Sequence, residues 1–176
     1  MAVDDSAERS VRKPSARRVF LSYTSELGEL PEPRSFVAAA KAAVAKAGDA
    51  VVDMSSFTAR DSTAEQLDRE KLAEADIYVL IVGFRYGTPV RDRPEVSYTE
   101  QEFQIATETG MERLVFVLAE DTHGPPALFR DLEYGARQDA FRRRLRGSGL
   151  VVTRVSSPDQ LETQLLLVPN QATLGR

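Results

Sequence analysis

The chain has no cysteine, no tryptophan and one histidine, His123. Without thiols there is no disulfide, no thiolate metal site and no Cys nucleophile. One histidine, set in a Gly-Pro loop that exposes it, argues against a Ser-His-Asp triad and excludes a His-rich metal site. No apolar run reaches the roughly 18–20 residues of a membrane span. The opening "MAVDDSAERSVRKPSARR" lacks the apolar centre of a signal peptide, so the sequence reads as cytoplasmic, with no membrane partner. Nor is there an excess of positive charge. Twenty-three Lys and Arg against 27 Asp and Glu give a net charge of −4, with no global pull toward nucleic acid. A Gly-rich phosphate loop is also missing; "GFRYG" has two glycines and no P-loop lysine.

What is present suits one domain. At 176 residues and 42% hydrophobic, the chain can bury a core without staples. Residues 1–16 are polar and read as a flexible arm, 17–167 as the domain, and 168–176, which carry no structure signal, as a tail or linker. Strands are expected at 18–23, 50–54, 76–84, 113–119 and 149–155. Between them lie helical patterns. "PEPRSFVAAAKAAVAKAGD" has Pro33 for its first turn and Gly48 for its stop. Ser62 and Glu65 fit a capping box for a helix to about Ala75. "SYTEQEFQIATET" closes at Gly110; residues 126–146 and a stretch capped by Ser157 complete the set. "DIYVLIVGF" is almost continuously apolar, as a strand covered on both faces must be. Five alternations of strand and helix predict an α/β, flavodoxin-like three-layer sandwich. Its five-stranded parallel sheet has order 2-1-3-4-5 with helices on both faces. Ligands of such sheets bind beyond the carboxyl ends of the strands. That places "SYTSELGE", the long loop "GFRYGTPVRDRPE" and "EDTHGPP" on the functional rim.

Two carboxylates in "SYTEQEF" compete for attention. If Ser97 caps the helix, Glu100 falls at the third helical position, where it can reach back to the cap and complement the positive helix end. Glu102 lies beside the packing face, where it can enter the crevice or point to water. Tyr23 and Ser25 follow strand 1, Asp53 ends strand 2, and Arg85 and Tyr86 follow strand 3. An Arg there can pair with pyrophosphate and a Tyr can stack on a ring. Ser97 and Tyr98 can hydrogen-bond a ribose. The basic run Arg142, Arg143, Arg144 and Arg146 reads as a solvated helix end.

"RVFLSYTSE" resembles the first strand of Toll/interleukin-1 receptor (TIR) domains. The block "DIYVLIVG", "RYG" and "SYTE" with Glu102, Ala106 and Gly110 resembles more closely a TIR-like family found at the N-terminus of bacterial STAND NTPases and repeat proteins. The likeness spans roughly residues 18–155 and departs at "LGELPEPRSFV", where that family has an acidic-leucine-glutamate-arginine run. The resemblance implies that Glu102 is the catalytic glutamate of an NAD-cleaving effector. Nucleoside deoxyribosyltransferases, which share the fold, also carry a glutamate four residues before an alanine. The substrate-binding set expected beside it, from places at the strand ends and the helix start, is Tyr23, Ser25, Asp53, Arg85, Tyr86, Ser97 and Tyr98. The resemblance further implies NAD as substrate rather than cofactor, and self-association as an oligomer. An attached NTPase or repeat domain and a role in antiviral defence or stress signalling are further implications. Two other readings stand beside it: a non-catalytic homotypic interaction module, and a deoxyribosyltransferase-like nucleotide hydrolase.

Overall fold

The computed structural model describes residues 15–52 and 63–174. Five strands form one parallel sheet: β1 (Arg18–Ser22), β2 (Ala50–Val51), β3 (Ile77–Val82), β6 (Glu112–Leu118) and β7 (Val152–Val155). Their order is β2-β1-β3-β6-β7, which counts as 2-1-3-4-5 along the chain. The helices are α1 (Ser25–Glu29), α2 (Phe36–Lys46), α3 (Ala64–Ala73), α4 (Tyr98–Glu108), α5 (Gly135–Arg146) and α6 (Pro158–Leu174). Every residue of β3 is buried. Its side chains alternate between two cores, as the pleat requires. Ile77, Val79 and Ile81 face α1, α2 and α6, where Phe36, Ala40, Val44 and Leu161 pack. Tyr78, Leu80 and Val82 face α3, α4 and α5, where Leu72, Ile105, Phe141 and Leu145 pack. Truncating a buried leucine such as Leu80 in so closed a layer costs about 2–5 kcal/mol.

Several local expectations are corrected. The connection after β3 is not a simple loop but an antiparallel hairpin, β4 (Pro89–Val90) and β5 (Arg93–Ser97), with Val90 and Val96 buried. "SELGE" forms the short α1. Pro33 precedes α2 instead of opening it, because Ser35 is the cap and accepts from the Ala38 N–H. The capping box of α3 is shifted by one residue, to Thr63 and Gln66. The motif fits both pairs, and Glu65 is used instead by Arg69. The helix expected at 126–146 starts only at Gly135. Asp131 accepts from the N–H groups of Tyr86, Glu133 and Tyr134, which ties the turn before Gly135 to the chain just after β3, and only Pro126–Leu128 of the earlier stretch makes a short 3-10 turn. Helix α6, capped by Ser157, extends to Leu174, into the stretch without sequence signal. The proposed arm lies outside the described residues, apart from its last two positions.

Arg142 corrects the reading of the basic run as solvated. It is 3% exposed. Its guanidinium donates to the carbonyls of Gly83 and Leu118, at 2.9 and 2.8 Å, where β3 and β6 run out of partners. Strand-end carbonyls need donors, and α5 delivers one to them. His123 is exposed. Among the described residues, no helix is long and apolar enough to cross a membrane.

Candidate active site

The strand pleat decides which groups meet at the carboxyl end of β1. Ser22 shares a face with Phe20 and points toward α3 and α4, whereas Tyr23 packs with the opposite core. Glu102 sits a turn into α4 and leans back on β1. The Ser22 hydroxyl donates to its Oε2 at 2.6 Å, joining positions 80 residues apart. Glu102 is half-buried. Burial pushes its carboxyl up to about 8; the Ser22 hydrogen bond and Lys71 pull it down, and nearby Asp68 pushes it up. Asp68, on α3, is 3% exposed, and Gln101 Nε2 donates to it at 2.9 Å. Burial also raises the Asp68 carboxyl, against that hydrogen bond and Lys71. Two atoms of this cluster, Tyr78 Oη and Gln101 Oε1, are buried without a hydrogen-bond partner among the described residues. Buried polar groups are ordinarily satisfied. The arrangement is thus a carboxyl held largely neutral at pH 7, a serine that orients it, and polar capacity left over.

Glu100, two residues earlier, is saturated. It is buried and pairs with Arg144 of α5. Tyr86 Oη donates to its Oε2 at 2.5 Å. The Ser97 N–H donates to that same Tyr86 oxygen, while the Ser97 Oγ accepts from the Glu100 N–H. Glu100 therefore does not reach the cap directly, as the sequence suggested. The tyrosine hydroxyl stands between them and completes the box.

Residues 18–167 match the model of a protein family described as domain of unknown function (DUF4062). The chain belongs to that family. Among solved structures, the DUF4062 chain is similar to the Clostridium botulinum CMP N-glycosidase, BcmB. The two share 17% identity with a TM-score of 0.52, over 86% of this chain and 99% of that one. A likeness at that identity establishes a common α/β fold. No curated protein matches the sequence.

The predicted site residues of this DUF4062 domain fall into four places, with one more outside the described residues. Tyr98 opens α4 one turn before Glu102 and on the same side of the helix; it is half-buried. Tyr86 and Ser97 are brought to Glu100, not to Glu102. Ser25 and Arg85 line a separate cleft of about 370 Å³ with Glu26, Thr88, Asp131 and Tyr134. The Arg85 charge there lies near Glu26 and Asp131. Tyr23 faces the α1–α2 core, and Asp53 lies outside the described residues. Sequence reasoning missed Ser22, Asp68, Tyr78 and Gln101. Asp68 carried a signal: it lies four residues before Leu72, so it is an acid on the buried stripe of α3.

Proposed function

We propose that this domain hydrolyses the N-glycosidic bond of a nucleotide, with Glu102 as the catalytic carboxyl. The observation that carries this reading is the Ser22–Glu102 pair at the carboxyl end of β1, where sheets of this order receive ligands. As the C1′–N bond breaks, its electron pair leaves with the base. The Glu102 proton passes to a base that needs one, and the resulting carboxylate faces the ribosyl cation. Water adds at C1′ and returns a proton to Glu102. Asp68, held beside it by Gln101, supplies acceptors for ribose hydroxyls. Tyr98 lies close enough along α4 to bound the sugar or base.

The TIR-like sequence supports NAD as the substrate, and the fold neighbour, named as acting on CMP, supports a nucleoside monophosphate. In this reading the domain is the effector part of a bacterial defence or stress-signalling protein. The two substrates demand opposite states of Glu102. Cytosine leaves more easily when protonated, so its release should fall as pH rises through about 8. Nicotinamide leaves neutral from a pyridinium and is helped by the ionised carboxyl, so its release should rise over the same range. Incubation of concentrated protein with NAD or CMP, followed by chromatography of the freed base, tests both against Glu102→Gln. Equal turnover by the variant, or no release from either nucleotide, would sink the enzyme reading.

A second reading, a homotypic interaction module, draws on one feature. Val151, 86% exposed, and Leu167, 49% exposed, border a 480 Å³ groove along β6, β7 and α6. Sedimentation of wild type against Val151→Asp checks it; unchanged, concentration-independent monomers would remove it.

A further inference from the structure

Tyr78 is an odd residue for the middle of a buried sheet. Its side chain is fully enclosed, and its hydroxyl, although close to Ser22, completes no hydrogen bond among the described residues. A buried tyrosine normally places its hydroxyl on a partner. The rest of β3 is aliphatic, and a phenylalanine would fill the same space without an orphan. The ring is fixed. It stacks on Phe20 at 6.0 Å and meets Phe103, the neighbour of Glu102, at 6.2 Å. Tyr78 stands opposite Phe20 in the parallel ladder, and Ser22 lies two residues further on the same face. The Ser22 hydroxyl donates its hydrogen bond to Glu102, which leaves its oxygen lone pairs able to accept.

We propose that Tyr78 is a positioning residue for Glu102: its hydroxyl is a reserve donor that closes a Tyr78–Ser22–Glu102 relay when the carboxyl ionises. This rests on Glu102 being the catalytic carboxyl. While Glu102 keeps its proton, the Ser22 hydrogen bond holds it. Once the proton has gone to the leaving base, negative charge on Oε2 polarises the Ser22 hydroxyl. Tyr78 Oη–H then donates to Ser22 Oγ, and Ser22 Oγ–H donates to Glu102 Oε2. No proton leaves Tyr78, whose own titration is held well above its ordinary value by burial and by the Glu102 charge, against Ser22. The other charges facing the relay are Asp68 and Lys71 from α3 and Arg113 from β6.

The test is Tyr78→Phe, which removes only the orphan oxygen. If the hydroxyl did nothing, its loss would be neutral or stabilising and would not touch Glu102. The relay predicts instead that the Glu102 midpoint rises above that of the wild type. Carbon-13 titration of glutamate carboxyls follows this, with Glu102→Gln identifying the resonance. In base release, Tyr78→Phe and Ser22→Ala should each lower kcat about tenfold with KM little changed, and the double variant should lose no more than the worse single one. A Glu102 midpoint unchanged by Tyr78→Phe overturns the relay, whatever the activity. If Glu102→Gln is inactive while Tyr78→Phe turns over normally, the relay fails and the catalytic reading stands. If Glu102→Gln is fully active, the catalytic reading fails, and the titration still decides whether Tyr78 supports Glu102.

Discussion

The two flanks of α4 hold acids in opposite conditions. On the hairpin and α5 side, Glu100 has an arginine, a tyrosine hydroxyl and a helix cap around it, and Arg142 nearby spends its donors on strand-end carbonyls. On the β1 and α3 side, among the described residues, Glu102 has the Ser22 hydroxyl, the Lys71 charge, a second buried acid close by, and two orphan polar atoms for company. A saturated buried acid holds an element in place. An under-satisfied one, kept neutral by burial, stores free energy that a substrate can release. The contrast fits a structural role on one flank and the proposed chemistry on the other.

The strongest test of this contrast is Glu102→Gln. Base release should drop by about 10²–10⁴, the range for a lost general acid. Residual activity above a tenth would blur the distinction between the flanks. On the structural flank, Arg142→Met should strip the buried Leu118 carbonyl of this donor and leave the Gly83 carbonyl to the Gln138 amide. Urea unfolding should then register a loss of about 3 kcal/mol.

Stability against pH comes next. The folded Glu102 keeps its proton up to about 8, whereas the unfolded carboxyl loses it near 4.5. Between those values the folded state binds more protons, so this contribution is whole below 4.5 and is lost as pH rises to 8. Asp68 and Glu26, also raised chiefly by burial, act in the same direction. The difference between wild type and Glu102→Gln isolates the one residue: the variant should gain on the order of 2–3 kcal/mol relative to wild type from pH 5 to 8, less than the full shift because the carboxyl is half-buried. Parallel stability curves would remove the strain from the proposed catalytic flank.

Smaller still is Glu100→Ala, which should cost about 2 kcal/mol by taking the carboxylate acceptor from the buried Tyr86 hydroxyl, with turnover within twofold. Arg144→Ala should cost under about 1 kcal/mol, since its side chain is 59% exposed and water replaces the pair. A large activity loss in either would mean that the structural flank also governs the reaction.

The sheet was legible because its signals are local. The apolar run of β3, the Gly110 stop at a positive φ of 69° and the Ser97 cap each state their role within a few residues. The β4–β5 hairpin was not. Its Val90–Arg93 pairing follows a turn without a hairpin dipeptide, and the segment is held from outside by Asp131 and by Arg137 on the Pro94 carbonyl. Glu102 could be singled out through resemblance, but its partners could not. Ser22 looks like any strand residue until the pleat turns it toward α4.

By itself, the sequence determined the alternation of strands and helices, the burial of the central strand and the start of the helix bearing both glutamates. Periodicity, caps and turn residues act over one or two turns of chain. Only the tertiary structure decided that Ser22 reaches Glu102, that Asp68 and Tyr78 crowd the same acid, and that Arg142 turns inward. Those meetings join positions tens of residues apart, and they depend on which face each element presents once two cores have closed on the sheet.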